Sequence, residues 1–161
     1  MIFASFGNSP MPFLRMAEAI ENYGRTSGEQ IIVQNGLTKY EFKHCTAQAF
    51  MDKETFLFYL KSCEIAILQG GWGGISEASA LGVRIVVIPR IKDIEHHHDQ
   101  AQLVKALEAE GVLLGCYDTK ELPAVIQKAK TFNYKPIKRG DASKIINDYL
   151  NSLLNNTSLK I

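Results

Sequence analysis

The segment Gln69-Gly70-Gly71-Trp72-Gly73-Gly74-Ile75-Ser76-Glu77 holds the residues whose types and spacing are best suited to chemistry. It follows Ile65-Ala66-Ile67-Leu68, a continuous apolar run suited to a strand buried on both faces. It leads into a short helix predicted over Ile75 to Leu81 and stopped by Gly82. In a parallel α/β sheet, ligands collect beyond the carboxyl ends of the strands, where a helix N-terminus presents unpaired N–H groups, and phosphate is the natural ligand there. Glycine at positions 70, 71, 73 and 74 removes side chains that would hold an anion away and permits a tight strand-to-helix turn. No Gly-Lys-Ser/Thr closes the loop, and its spacing does not give G-x-G-x-x-G with a following acid, so ATPase and NAD-dehydrogenase chemistries lose their main support. Glu77 falls about one helical turn into the helix, where its carboxylate could accept both hydroxyls of a ribose. From that residue alone, an acid favoured by the helix dipole is the plainer alternative.

Other candidates carry less. His96, His97 and His98 are consecutive, so their side chains diverge, whereas metal ligands usually come at i, i+4 or from separate elements, and no metal site is expected. Cys45, Cys63 and Cys116 form no C-x-x-C pair and read as buried thiols of a reducing cytosol. Phe50 and Met51 stand where an apolar residue could pack on a nucleotide base, and equally where core residues are common. Asn155-Asn156-Thr157 fits a glycosylation sequon without a secretory context and receives no role.

The elements that must position these residues follow from punctuated apolar runs. Ile2 to Phe6 reads as a strand ended by Gly7-Asn8-Ser9-Pro10, then a helix through Phe13, Leu14, Ala17 and Ile20 with Ser9 or Pro10 near its start and Gly24 beyond its end. Gln30 to Gln34 is a second strand closed by Asn35-Gly36, and Glu41 to Thr46 a weaker third. Asp52 is an N-cap candidate for a helix through Phe56, Leu57 and Leu60. Arg84 to Ile88 is another apolar strand, followed by a polar loop from Arg90 to Asp99, a helix carrying Leu103, Val104 and Leu107, and a short strand from Val112 to Leu114. Helices are predicted over Glu121 to Lys130 and Ala142 to Leu154, with Pro136 to Gly140 as a hinge. Strands alternating with helices argue an α/β fold, a parallel sheet with helices on both faces. The last helix aligns Ile145, Ile146, Tyr149, Leu150, Leu153 and Leu154 on one stripe that must dock on something, either its own core or a partner.

Composition bounds the reading. The chain has 161 residues, 46% apolar and 22% charged, an ordinary globular composition. A single domain of this size, spanning 1–161, can bury about 68–70% of its unfolded surface without a metal or disulfide staple. A formal charge of +1 gives no broad field for a polyanion, so nucleic acid is a poor partner. No apolar run approaches the roughly 20 residues of a spanning helix, and no signal core follows Met1, so a cytoplasmic protein is expected.

Trp72 with Ser76-Glu77, the strand Ile85 to Pro89 and then Asp99-Gln100 resemble the nucleotide-sugar signature of GT-B glycosyltransferases, H-x-G-x-x-x-x-x-E followed downstream by D-Q. Met1 to Pro10 resembles the opening of the family 28 glycosyltransferase C-terminal domain, and the resemblance runs to about Leu122. Within the family it is closest to free-standing members: the cytosolic subunit of the eukaryotic UDP-GlcNAc transferase acting on dolichol-linked chitobiose, and bacterial capsule or exopolysaccharide counterparts. This resemblance implies a Rossmann-like donor half in which Gly70, Gly71, Gly73 and Gly74 line the diphosphate, Glu77 holds the ribose, and Asp99 and Gln100 approach the donor sugar. Gly7, Asn8 and Ser9 match a first glycine-rich turn that also faces the phosphates, and Glu95-His96 match an E-H pair before the acceptor-side helix.

The chain departs from the family pattern at Gln69, where histidine is usual, so a neutral amide replaces a group able to carry charge. Glu95-His96-His97-His98-Asp99-Gln100 is also closer to the D-Q form than to E-H-x-x-x-H-Q, which leaves the sugar open. Asp93-Ile94-Glu95 mimics a metal-binding D-x-D in a loop of the wrong fold type, so a donor site without metal or other cofactor is expected. The implied function is the donor-binding catalytic subunit of an inverting transferase using UDP-GlcNAc or another UDP-hexose. By the same resemblance the acceptor is lipid-linked and a membrane-attached partner subunit supplies the base, with the helix over 142–154 the candidate for docking it. The alternatives are a self-sufficient homodimeric UDP-sugar processing enzyme and a non-catalytic nucleotide-sugar-binding module.

Overall fold

The computed structural model describes residues 1–137 and 142–157, with side chains through 137 and over 143–153. Six parallel strands, β1 (Ile2–Ser5), β2 (Ile31–Gln34), β3 (Thr46–Gln48), β4 (Ile65–Gln69), β5 (Arg84–Ile88) and β6 (Leu114–Gly115), form one sheet in the order β3-β2-β1-β4-β5-β6. The helices between them are α1 (Leu14–Ser27), α2 (Lys53–Ser62), α3 (Trp72–Ala80) and α4 (Gln100–Ala109), and α5 (Leu122–Thr131) and α6 (Ala142–Thr157) follow the last strand.

The two-residue period of a strand divides the core. Ile2, Ala4, Ile31, Val33, Ile65, Ile67, Val86 and Ile88 face one way, against Phe13, Met16, Ala17 and Ile20 of the α1 region and Leu122, Ile126 and Ala129 of α5. Phe3, Ile32, Ala66, Leu68, Ile85 and Val87 face the other, against Leu60 of α2, Ile75 and Ala78 of α3 and Val104 of α4. A sheet covered on both sides needs the near-continuous apolar strands that the sequence carries. The α/β class read from alternation is the observed one.

Several boundaries differ from expectation for local reasons. Helix α1 starts at Leu14 because Ser9 Oγ instead accepts from the N–H of Met11 (3.3 Å), while the N–H of Phe13 donates to the buried Thr38 hydroxyl (2.9 Å). It runs through Gly24 to a left-handed C-cap at Gly28 (φ 67°). Gly24 serves close packing, since a Cβ there would lie 2.9 Å from Cys45 Sγ and 3.2 Å from His44 O. The third strand forms at Thr46–Gln48 and not over Glu41 to Thr46. The chain before it is held on α1 by Glu21, whose Oε1 accepts from the N–H of Lys43 (2.9 Å) and from His44 Nδ1 (2.7 Å). Helix α3 begins at Trp72, earlier than Ile75. The last strand is Leu114–Gly115, with Val112 and Leu113 buried ahead of it. Thr119–Glu121 makes a 3-10 turn capped by Asp118 before α5 begins.

Cys116 is buried, whereas Cys45 and Cys63 are only partly so, and all three are free. Burial pushes the Cys63 and Cys116 thiols up to about 11. The core reading of the last helix does not hold: Ile145, Ile146, Tyr149, Leu150 and Leu153 are all exposed. Leu154 and the Lys138 to Gly140 part of the expected hinge lie outside the described side chains. No helix among the described residues is long and apolar enough to cross a membrane.

A buried cation ties the carboxyl edge of this sheet together. Arg90, 2% exposed, donates from Nη1 to Met11 O (2.9 Å) and Glu95 O (3.1 Å), and from Nη2 to Phe6 O (3.0 Å). Its guanidinium lies 4.3 Å from the centroid of the Phe13 ring, a favourable cation–π distance. The loop after β1 is thereby fastened to the loop after β5.

Glu21 supplies a pH test. Burial alone would raise its carboxyl, but hydrogen bonds from His44 and from the backbone of Lys43 and His44 outweigh that and hold it below the ordinary carboxylate range. A native value below the unfolded one means that the contribution is complete at neutral pH and is lost as pH falls through the carboxylate range. We expect Glu21→Ala to cost about 1–3 kcal/mol at pH 7 and to flatten the acid side of a plot of Tm against pH. Equal slopes for variant and wild type would refute this role.

Candidate functional site

Between β1 and β4 the strand order reverses. Strand β1 feeds α1 on one face of the sheet, and β4 feeds α3 on the other. Such a switch point opens a crevice at the carboxyl edge of a parallel sheet. Here it is a pocket of about 390 Å³ lined by Ser5, Gly7, Asn8, Gln34, Met51, Asp52, Lys53, Phe56, Leu68, Gln69, Gly71, Gly73, Gly74 and Glu77.

The orientation of Gln69 follows from donors that cannot be reversed. The backbone N–H groups of Gly70 and Arg90 donate to Gln100 Oε1 at 2.9 and 3.0 Å. The amide nitrogen of Gln100 therefore faces away from them and donates to Gln69 Oε1 at 2.6 Å. That bond leaves the NH₂ end of Gln69 directed at the slot between Gly7 and Gly71. A Cβ on Gly7 (φ 70°) would stand 2.7 Å from Gln69 Nε2, and one on Gly71 would collide with the same atom. Glycine at both positions makes room for this amide, which enters the pocket as a fixed donor.

Beside it, α3 starts with Gly71 as N-cap, which has no side chain to bond the first-turn amides. A Cβ on Gly73 would meet nothing within 4 Å, and one on Gly74 only Leu68 Cδ1 at 3.8 Å. The helix end is thus bare toward the pocket, with its dipole and N–H groups available to an anion. Farther along α3, Glu77 forms the wall, its carboxylate paired with the ammonium of Lys53 from the first turn of α2. Asp52 caps α2, accepting from the N–H of Thr55 at 2.7 Å, and that bond holds its carboxyl below the ordinary range. Met51 and Phe56 supply an apolar wall. An anion at the α3 end, a vicinal diol at Glu77 and a flat apolar group near Met51 would fit together here.

Of the residues singled out in the sequence, Gly7, Asn8, Gln69, Gly71, Gly73, Gly74 and Glu77 converge on this pocket. Gly70 and Gln100 do not line it. A Cβ on Gly70 would lie 2.7 Å from Gln100 Cβ, and Gln100 is 6% exposed, so this pair braces the floor where a sugar contact was expected of Gln100. Trp72 and Ser76 lie on α3 outside the lining, Ser9 turns back on Met11, and Asp99 caps α4 through the N–H of Ala101 (2.9 Å). Glu95 is buried, accepting from Arg15 Nη2 and from the N–H of Ile91, both at 2.9 Å. His96 Nδ1 accepts from the N–H of His98 (3.0 Å) in the same loop.

Sequence reasoning missed Ser5, Gln34, Asp52 as a lining residue, Lys53 and Phe56. A signal existed for Ser5 and Gln34, each a polar residue closing an apolar strand, and they hydrogen-bond one another at 2.8 Å. None existed for Lys53, an ordinary helix lysine. The open reading of Phe50 and Met51 resolves toward Met51, since Phe50 is exposed and outside the pocket.

Comparisons with known proteins agree with this architecture. The model of the glycosyltransferase family 28 C-terminal domain matches residues 13–152. A comparison with curated proteins returns no match. Among solved structures, the glycotransferase of kitacinnamycin superposes with a TM-score of 0.60 at 19% identity, over 81% of this chain and 34% of that one. MurG of Acinetobacter baumannii superposes with a TM-score of 0.58 at 16% identity, over 93% of this chain and 49% of that one. At these identities the likeness is one of fold, and the chain spans less than half of either structure. The family match, together with a crevice at the sheet's switch point, leads to one conclusion: this chain belongs to the glycosyltransferase family 28 C-terminal domain family.

Proposed function

We propose that this chain is the donor-binding half of an inverting glycosyltransferase that takes its sugar from a UDP-sugar, UDP-GlcNAc or another UDP-hexose. The observation that carries the reading is the convergence of the oriented Gln69 amide, the bare N-terminus of α3 and the Glu77 carboxylate on one pocket. The diphosphate would lie across the first turn of α3, with Glu77 accepting from the ribose hydroxyls and Met51 beside the base. As the sugar–phosphate bond breaks, negative charge grows on the departing diphosphate. Preorganised N–H donors at that position stabilise the charged state more than the ground state. In this reading the compensation comes from the protein's own groups, the helix dipole and loop amides among them, and the site works without a metal ion.

The acceptor and its activating base belong to a second half. We infer that this half is a membrane-attached subunit presenting a lipid-linked acceptor, which would hold the chain at the cytoplasmic membrane face. The need for a second half is supported by the share of each solved structure that this chain covers, under one half. The exposed stripe Ile145, Ile146, Tyr149, Leu150 and Leu153 is the apolar face such a subunit would cover.

Calorimetric titration with UDP, UDP-GlcNAc, UDP-glucose, UDP-galactose and UDP-glucuronate, each with and without EDTA, tests the donor reading. One UDP-sugar should bind, and EDTA should leave its affinity unchanged. Glu77→Ala should weaken that binding by roughly 10- to 100-fold, the loss of hydrogen bonds to a charged acceptor worth about 1.5–3 kcal/mol, with Tm unchanged. Unaltered affinity would remove the ribose role. Ile146→Asp combined with Leu150→Asp should leave Tm unchanged, because both side chains are exposed, yet abolish co-purification with the membrane subunit. Continued co-purification would defeat the docking assignment.

A further inference from the structure

We propose that Lys53 is the cation that neutralises the donor's diphosphate, and that its ion pair with Glu77 makes nucleotide entry an exchange of partners. The inference rests on the donor-site reading above and deepens it.

Charge in the pocket is the starting point. Among the described lining residues the acids are Asp52 and Glu77, and the one cation is Lys53. Asp52 is committed to the N–H of Thr55, and Gln69 offers a donor without charge. The N-terminus of α3 supplies only about half an elementary charge, too little to offset a nucleoside diphosphate beside two carboxylates. Lys53 is the group able to close that deficit.

Its position suits the task. As the first residue of α2 it has a fixed backbone, capped by Asp52. Its side chain remains 66% exposed on a flexible stem with a strongly hydrated ammonium at the tip. An exposed pair of this kind contributes little to stability, so separating Lys53 from Glu77 costs little. When ribose hydroxyls donate to Glu77, the Lys53 ammonium is displaced from that carboxylate and can swing toward oxygens at the α3 N-terminus. A nucleoside without phosphates would displace the same ion pair and give the ammonium no new anion to meet. Lys53 should therefore discriminate between nucleotide and nucleoside.

The full-length chain is titrated with UDP by calorimetry and with uridine by NMR chemical-shift perturbation, at low and high salt, for wild type, Lys53→Met and Lys53→Arg. Lys53→Met should weaken UDP by about tenfold, through removal of one charge-assisted hydrogen bond to phosphate, and reduce the salt dependence of UDP binding. It should leave uridine affinity equal or higher, because Glu77 is then free. Lys53→Arg should retain most of the UDP affinity. Equal losses for UDP and uridine, or UDP binding indifferent to Lys53→Met, would overturn the assignment while leaving the donor site standing. Failure of wild type to bind either ligand would instead remove the donor-site reading, and this inference with it.

Discussion

A backbone N–H can only donate, and the arrangement of the pocket depends on that asymmetry. Two such groups, at Gly70 and Arg90, converge on one oxygen of Gln100. Their demand turns the Gln100 amide, which turns the Gln69 amide, which in turn requires glycine at 7 and 71. Strand ends of β4 and β5 and the start of α4 are thus set by one chain of hydrogen bonds, and the turn after β1 by the room its last amide needs. Satisfied networks of this kind favour a single arrangement, because a reversed amide would leave polar groups buried without partners.

Arg90 joins the same assembly from the other side. Its backbone serves Gln100 while its guanidinium collects carbonyl oxygens from Phe6, Met11 and Glu95. Burial lowers the guanidinium to about 10, partly opposed by the nearby Glu95 carboxylate, so it remains charged at neutral pH. The loops after β1 and β5 are joined through this side chain, and Arg15 adds a second tie by donating to Pro89 O and to the Glu95 carboxylate. The Arg90 clamp thus holds the two loops that flank the pocket's floor.

Much of the fold was legible in the chain because buried parallel strands must be almost wholly apolar, and Ile65 to Leu68 and Ile85 to Ile88 announce themselves in that way. The glycine-rich turn after β4 was equally plain. What failed to show were features decided by distant contacts. The third strand moved toward the C-terminus because Glu21, on another helix, captures the amides ahead of it. Gln100 resembled a sugar ligand in the linear pattern, yet its side chain faces the protein interior, where only the three-dimensional neighbours Gly70 and Gln69 explain it. Lys53 gave no signal at all, since its meaning arises when α2 is laid beside α3. The stripe on α6 was readable as apolar, but no sequence pattern says whether such a stripe is covered by its own domain.

The two ends of the sheet close an avenue that parallel sheets often leave open. On one side stands β3, with Thr46 to Gln48, and on the other β6, with only Leu114 and Gly115. Strands this short present too few unpaired backbone groups to template another strand. Edge-to-edge growth is therefore disfavoured at both margins, and a second polypeptide joining this chain would meet side chains on helices and loops. Recognition by any such polypeptide would then depend on matching surfaces, which are specific, in place of backbone ladders, which are not.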